Sequence, residues 1–429
     1  MSDELPKGWA AARISELCDI PKEKGREGVV SYLEIGNVDI VSKNYTLTDK
    51  PSVKGCRVAK KNDVLVSKVR PTRGAIVWIR ENELEVSSAF TVLRNKGALA
   101  EKCLWQFLAW NRAYLNHLGE NCTGTMYPTT SDEVITDFEM PIAPLAEQRR
   151  IVAKLEKLLD QVDACQQRLE KMPTLLKRFR QSVLAAACSG RLTTDWREKN
   201  GGDGYESTTV EAVAEYVGGF AYKSPTFIES GKHQVIRIGN VRPLALKLDA
   251  SPVFIPDDIA EQTQRFKLLP GDIAISMTGT KYKRDYGFAS LVTQSDGSLF
   301  LNQRVARVRC GKAVLPKFLL FWFQTDLFRE FFFSGETGNV NQGNVGAGGI
   351  HRAPIELPPL AEQQEIVRRV EGLLALADQL DLRLAQARGQ VTNLTPSLLA
   401  RAFAGKLVPQ NPTDEPAEEL LERIRKAIC

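Results

Sequence analysis

One stretch of this chain occurs twice without a gap, and it limits the fold more than any other feature. The first copy is Pro144-Leu145-Ala146-Glu147-Gln148, followed by Ile151, Val152 and a helix-like run to Gly190-Arg191-Leu192. The second is Pro359-Leu360-Ala361-Glu362-Gln363, followed by Ile366, Val367 and a similar run to Gly405-Lys406-Leu407. Leu145 and Leu360 are 215 residues apart, and so are Gly190 and Gly405. A gapless repeat at half the chain length implies duplication, with two similar units related by an internal pseudo-two-fold.

Both copies carry apolar residues at alternating steps of four and three. The first seam is Ile151, Leu155, Leu158, Val162, Cys165, Leu169, Met172, Leu176, Phe179 and Val183. The second is Ile366, Val370, Leu373, Ala377, Leu380, Leu384, Ala387, Val391, Leu394 and Leu398. Such a heptad seam packs against another helix, and the shared register suggests that the two copies pack on each other. At a rise of about 1.5 Å per residue each run makes a rod of roughly 60 Å. Pro173 is expected to kink or break the first rod, because its ring removes a backbone donor and crowds the preceding turn. Arg388 stands at the matching place, and the second copy has Pro396 instead. Gly190 suits the left-handed residue that ends a helix.

The segments before and between the rods read as mixed α/β. Residues 1–143 show a short helix from Ala10 to Cys18. Strand-like runs follow at Val29–Ile35, Asp63–Lys68, Ala75–Ile79 and Phe90–Leu93. A helix is expected from Ala100 to Leu118, then a Gly/Thr/Pro loop from Thr123 to Thr130. Residues 196–207 read as a linker, and residues 208–355 echo the first segment. Ile238-Gly239-Asn240-Val241 repeats Ile35-Gly36-Asn37-Val38, and Gly271-Asp272-Ile273 resembles Asn62-Asp63-Val64. A helix from Pro316 to Phe333 takes the place of Ala100–Leu118. The long helices occupy 144–195 and 356–408, and a tail, 409–429, ends in an amphipathic helix, Ala417–Ile428, with Leu420, Leu421 and Ile424 on one face. The expected fold class is α+β: two mixed α/β domains, two long helices and an internal pseudo-two-fold repeat.

Composition narrows the function. The net charge of +5 permits a basic surface without forcing one. The most apolar stretch, Phe318–Phe333, is broken by Gln324, Asp326, Arg329 and Glu330, so it reads as a buried helix and not a membrane span. Eight cysteines form no CxxC pair, and His117, His233 and His351 are far apart. That pattern argues against a zinc site and for reduced thiols in a cytoplasmic protein. The opening Met1-Ser2-Asp3-Glu4-Leu5-Pro6 lacks the pattern of a secretion signal. There is no GxGxxG after a strand, no GxxxxGK[ST], no HExxH and no GxSxG. These absences favour a binding subunit over an enzyme.

Two loops in equivalent places carry the candidate binding residues. The first offers Lys68, Arg70, Thr72 and Arg73, with Thr125 and Tyr127 on the Thr123–Thr130 loop. The second offers Thr278, Thr280, Lys281, Tyr282, Lys283 and Arg284. An amide-rich stretch adds Asn339, Asn341, Gln342 and Asn344. Arg and Lys reach phosphates and the guanine edge, and Asn and Gln reach adenine, so DNA is the expected ligand. The competing reading is that basic and Asn/Gly-rich segments are ordinary solvent-exposed turns. Lys177-Arg178-Phe179-Arg180 reads as a solvated or partner-facing face of the first rod.

The paired Pro-Leu-Ala-Glu-Gln blocks, each closing a mixed domain and opening a long helix that ends at Gly-(Arg/Lys)-Leu, resemble the specificity (S) subunit of type I restriction-modification enzymes. Leu5-Pro6-Lys7-Gly8-Trp9 and the tail Asp414-Glu415-Pro416-Ala417-Glu418-Glu419-Leu420-Leu421 are similar to that family as well. The resemblance covers essentially the whole chain. It implies two target recognition domains, 1–143 and 208–355, each reading one half of a split, asymmetric double-stranded DNA target. It implies an antiparallel intramolecular coiled coil that acts as a spacer. It also implies two modification (methyltransferase) subunits and two restriction (translocase/nuclease) subunits as partners. S-adenosylmethionine, ATP and Mg2+ would be bound by those partners, with no cofactor and no catalytic centre on this chain. The alternative is a nuclease or methyltransferase with an unrecognised active site, which activity of the isolated chain on DNA would reveal.

Overall fold

The structure is a computed structural model and describes residues 5–201, 204–293, 297–339 and 341–428. Parts of the linker (202–203) and of the amide-rich stretch (Val340) lie outside the described residues. The chain forms two compact units. One is residues 1–170 with 386–429, and the other is residues 171–385. Each unit therefore contains one mixed domain and a portion of each long helix.

In the first unit the central sheet has the order Cys18–Asp19, Phe90–Asn95, Val64–Ser67, Ile76–Trp78, all antiparallel. Every residue of Val64–Ser67 is buried, because both faces of the sheet are covered. Val64 and Val66 face the helix residues Leu104, Phe107 and Leu118, while Leu65 packs with Leu33, Val77 and Val86. A buried two-faced strand reads as a continuous apolar run, which is why it was visible in the sequence. Ala10–Arg13 pairs with Glu139–Ile142 and joins the two ends of the domain.

The second unit repeats this plan with longer insertions. Its first sheet has the order Ala214–Gly218, Val305–Cys310, Ile273–Ser276, Ala289–Leu291, Leu244–Ala245. A second sheet sets Phe254–Ile255, His233–Ile236, Ser298–Leu301 and Lys267–Leu268 side by side, with the middle two parallel. The repeated aspartates have the same task in both units. Arg94 binds Asp63 bidentately at 3.0 and 2.8 Å, and Arg309 binds Asp272 at 2.7 and 2.8 Å. Each carboxylate also accepts a backbone N–H, from Lys60 and Leu269 respectively. A buried charge of this kind is tolerated because its lone pairs are filled by a fork-shaped cation and an amide. The Ile-Gly-Asn repeats form matching 3-10 turns, Ile35–Asn37 and Ile238–Asn240.

The two long helices run Leu145–Cys188 and Leu360–Phe403, 44 residues each. In the first unit Ile151 and Leu155 pack with Leu399 and Ala402. In the second, Val183, Leu184 and Ala187 share a core with Ile366 and Val370, and Arg180 reaches Asp378 (2.6 Å) and Asp381 (2.7 Å). Early residues of one helix thus meet late residues of the other, the antiparallel pairing expected of the repeat. Of the seam, Leu155, Val162, Leu176, Val370 and Leu384 are buried, and Leu158, Leu169, Phe179, Leu373, Leu380 and Val391 are half-buried. Cys165 and Leu394 are exposed and drop out of it.

The Glu-Gln of each repeat explains why the motif is kept in both copies. Both pairs are buried where the helix starts. Gln148 donates to the carbonyls of Ala98 (3.2 Å) and Ala143 (2.9 Å) and accepts from Ala100 N (2.8 Å). Gln363 does the same with Ala313, Pro358 and Leu315 at 3.0, 2.8 and 2.8 Å. Glu147 accepts from the Trp9 indole (3.1 Å), and Glu362 from the Tyr205 hydroxyl (3.1 Å), Thr193 and Arg197. Burial raises the Glu147 carboxyl above its usual range, and the Trp9 bond opposes that. The glutamines and Glu147 tie each helix N-terminus to its own domain, while Glu362 holds Thr193, Arg197 and Tyr205 against the second helix. At the other end Gly190 and Gly405 adopt φ of +75° and +66°. A Cβ on Gly190 would lie 2.5 Å from Arg197 Nη1, the end of a flexible side chain, so it is the left-handed angle that calls for glycine.

Several expectations need correction. Pro173 does not break its helix. The proline leaves the Leu169 carbonyl without its intrahelical donor, and Arg388 Nη2 donates to that carbonyl at 3.0 Å. Ala10–Cys18 is not one helix but a strand, a single helical turn (Ile14–Leu17) and a second strand. Ala10 and Ala12 point inward at strand spacing, and edge pairing outweighs the helix propensity of alanine. Both domain helices are split in two. Asn111 caps Arg112–Glu120 through Tyr114 N (3.1 Å), and Thr325 caps Asp326–Ser334 through Phe328 N (3.3 Å). Val29–Ile35 forms only isolated bridges at Tyr32 and Leu33. The strand pair Arg57–Lys60 and Glu83–Val86 went unseen, because charged residues interrupt its apolar pattern. Among the described residues no helix is long and apolar enough to cross a membrane.

Candidate nucleic-acid interface

In the first unit the two candidate loops lie side by side. Strand Val64–Ser67 runs into Lys68, whose N–H donates to Ala89 O at 2.8 Å. Thr130 N donates to Lys68 O (2.9 Å), and Arg70 N to Pro128 O (2.7 Å). That ladder brings the Arg70 guanidinium over the Tyr127 ring, 4.9 Å from its centroid. Arg70 takes a left-handed φ of +47°, and Pro71–Arg73 makes a 3-10 turn that leaves Thr72 and Arg73 exposed. Thr125 is exposed, and Tyr127 is 66% exposed.

Lys68 is the exception. Its Nζ lies 3.5 Å from Asp132, a carboxylate that also takes Arg57 at 3.3 Å and the Thr91 hydroxyl at 2.5 Å. Burial works against that carboxylate, but the hydroxyl and the two cations together hold its pKa below the usual range. Lys68 is therefore engaged in an ion pair, with part of its side chain still exposed.

In the second unit the amide-rich stretch is not a loop. Glu336–Asn339 and Gln342–Val345 form a β-hairpin, and Thr278–Gly279 adds a third strand. Gly343 leaves room for two side chains that meet over it. A Cβ there would lie 2.4 Å from Glu336 Oε1 and 2.7 Å from the Tyr286 hydroxyl, which itself donates to Glu336 at 2.7 Å. Asn339, Asn341, Gln342 and Asn344 are all exposed along this hairpin. Thr278 is not on an exposed loop but lies 8% exposed on its strand, where it lines two clefts beside the hairpin.

The basic loop docks on the same hairpin. Lys281 Nζ donates to Gly338 O (2.9 Å) and lies 5.1 Å from the centroid of the Tyr282 ring. Tyr282 is 77% exposed at φ +67°, and Lys283 is exposed beside it. Arg284 places its guanidinium 5.3 Å from the centroid of Phe333. Thr280 N donates to Asp285 at 2.7 Å, which closes the turn. Among the described residues Arg70, Arg73, Lys281, Lys283 and Arg284 take part in no ion pair, whereas Arg307 and Arg309 nearby are bound to Glu215 and Asp272. Each unit thus presents unpaired cations on its loops, a charge suited to an anionic partner.

Two clefts open beside the hairpin, of about 380 and 460 Å³. Their walls include Arg242, Gln303 and Arg304, which the sequence reading missed. The polar run Asn302-Gln303-Arg304, immediately before an apolar strand, was the signal that could have found two of them.

Comparison with known proteins bears on the ligand. The family model described as "Type I restriction modification DNA specificity domain" matches residues 6–173 and again 202–384. The chain is 27% identical over 453 residues to the type I restriction enzyme EcoKI specificity subunit of Escherichia coli (strain K12), covering 98% of this chain and 96% of that one. It is 31% identical over 335 residues to the EcoBI specificity subunit of Escherichia coli, covering 73% and 69%. In fold it is similar to the HsdS subunit of Thermoanaerobacter tengcongensis, with a TM-score of 0.66 at 20% identity over 95% and 99% of the chains. A chain solved in work on complex assembly and conformational transition of the type I R-M system gives 0.68 at 20% identity over 94% and 100%.

Proposed function

Because this chain belongs to the type I restriction-modification DNA specificity family, we propose that it is the non-catalytic subunit that selects the DNA target of a type I complex. Residues 1–143 and 208–355 act as target recognition domains, each reading one half of a split site in double-stranded DNA. Residues 144–195 and 356–408 act as the spacer. The observation that carries this reading is the pair of equivalent sites with unlike side chains: Arg70 on Tyr127 in one, and Lys281, Tyr282 and an amide hairpin in the other. Two related readers with different contact residues suit an asymmetric target. Lys and Arg contacts to phosphates supply affinity and salt dependence, and loop side chains in the major groove supply sequence choice.

Catalysis belongs to partners. Two modification subunits carry S-adenosylmethionine and methylate adenine, which must leave the base stack to be reached. Two restriction subunits use ATP and Mg2+ to translocate and cut. The complex works on chromosomal and incoming DNA in the cytoplasm. Co-expression of this chain with its modification partner, followed by genome-wide mapping of methylated adenine, tests the proposal. The expected product is one two-part motif with an unread gap. A continuous motif, or methylation or cleavage by the isolated chain, would refute it.

A further inference from the structure

Arg304 lines both clefts beside the amide hairpin. It sits in the turn between strands Ser298–Leu301 and Val305–Cys310, and its backbone is fixed by a bond from Met277 N to Arg304 O of 2.9 Å. The side chain is exposed and, among the described residues, has no carboxylate within ion-pair distance. The other arginines of this segment are committed: Arg307 to Glu215 at 3.3 Å and Arg309 to Asp272 at 2.7 Å. Both clefts are also walled by Gln342, and the larger one by Asn339 and Asn344. A guanidinium fork and several amides thus converge on one concave surface, the chemistry that reads guanine and adenine edges in the major groove.

The first unit has no counterpart. The bond from Lys68 N to Ala89 O (2.8 Å) matches that from Met277 N to Arg304 O, so Ala89 stands where Arg304 does, and Ser88 where Gln303 does. The framework places a side chain at this point in both units, and only the second arms it with a cation. A residue that varies between two copies on a fixed backbone position suits the choice of sequence rather than support of the fold.

We propose that Arg304 is a specificity-determining residue of the second reader, bidentate to a guanine of its half-site, with Gln342 beside it on an adjoining base. This rests on the reading of residues 208–355 as a target recognition domain. A phosphate contact is the competing role, and it predicts different behaviour. The full chain is co-expressed with its modification partner as wild type, Arg304→Ala and Arg304→Lys, and methylated sites are mapped for each. Replacement of residues 208–355 by those of a relative first identifies the half-site that belongs to them. Both Arg304 variants should then relax one G·C position of that half-site, with discrimination there falling roughly 5- to 150-fold. The other half-site should stay unchanged, which also reports a folded complex. Lysine should fail to rescue, because it keeps the charge but lacks the planar fork.

Uniform weakening at all positions, with a shallower salt dependence and rescue by lysine, would mean a phosphate contact and overturn the proposal. An unaltered motif in both variants would overturn it too. If wild type gives no two-part motif, the assignment of the chain fails and this inference falls with it. A wild-type two-part motif that the variants leave intact sinks the inference alone.

Discussion

At the scale of single residues, Pro173 and Arg388 answer each other. They occupy equivalent places in the two repeats, one removes a donor, and the other supplies one to Leu169 O at 3.0 Å. The sequence showed the proline and predicted damage. It could not show the remedy, because the remedy lies across the helix pair. Arg388→Ala should lower unfolding free energy by about 1 kcal/mol. In a Pro173→Ala background the helix recovers its own donor, so the same change should cost much less there. A double-mutant cycle in urea measures that coupling, and additivity would mean that the bond contributes nothing.

Lys43 offers a pH signature at the same scale. It is buried with Nζ donating to Gly74 O at 2.6 Å, and burial pulls its pKa from 10.5 down to about 8. The folded pKa lies below the unfolded one, so between about pH 8 and 10.5 the unfolded chain holds a proton that the native state has lost. Native stability from this group therefore rises with pH across that window, and the full cost of burial is present below it. The stability of Lys43→Met minus that of wild type should be most favourable below pH 8 and shrink toward pH 10. A difference that stays flat with pH would contradict the burial argument.

At the scale of elements, legibility followed how far a pattern could be seen along the chain. The long helices were readable because forty residues of seam average over single exceptions such as Cys165 and Leu394. The hairpin at Glu336–Val345 was not, because Asn and Gly are turn residues by propensity and are strand here through pairing with each other and with Thr278–Gly279. The same pairing takes Thr278 out of the basic loop and leaves it 8% exposed. The helices also carry a prediction about the spacer role. Seven residues inserted after Leu169 alone would leave the two halves of the pair a heptad out of register, so that pairs on both sides of it, such as Leu169–Arg388 and Arg180–Asp378, could not form together. A matched insertion after Ala387 restores the register and lengthens the pair by about 10 Å. The paired variant should methylate a motif whose gap is longer by about three base pairs, at ~3.4 Å each. An unchanged gap would deny the helices a measuring role.

At the scale of the molecule, the duplication was plain in the sequence, while the composition of each unit was not. Linear reading divides the chain into domain, helix, domain, helix. The structure instead collects residues 1–170 with 386–429 into one unit and 171–385 into the other. The tail belongs with the first domain: Ala417 N donates to Gly8 O at 2.9 Å, Arg150 binds Asp414 at 2.6 Å, and Arg425 reaches Glu16 at 2.8 Å. A contact made by the two ends of a chain leaves no local pattern. It also determines how a domain exchange must be built. Residues 1–143 bind their helix through Trp9 on Glu147 and the Ala98 and Ala100 backbone on Gln148, so a replacement domain needs those same anchors. A relative's domain that retains an indole and the two backbone partners should therefore dock without strain. The resulting complex should methylate a motif altered in one half and unchanged in the other, as read by genome-wide mapping. Changes in both halves would mean that the two readers are not independent, and would remove the basis for assigning one half-site to each domain.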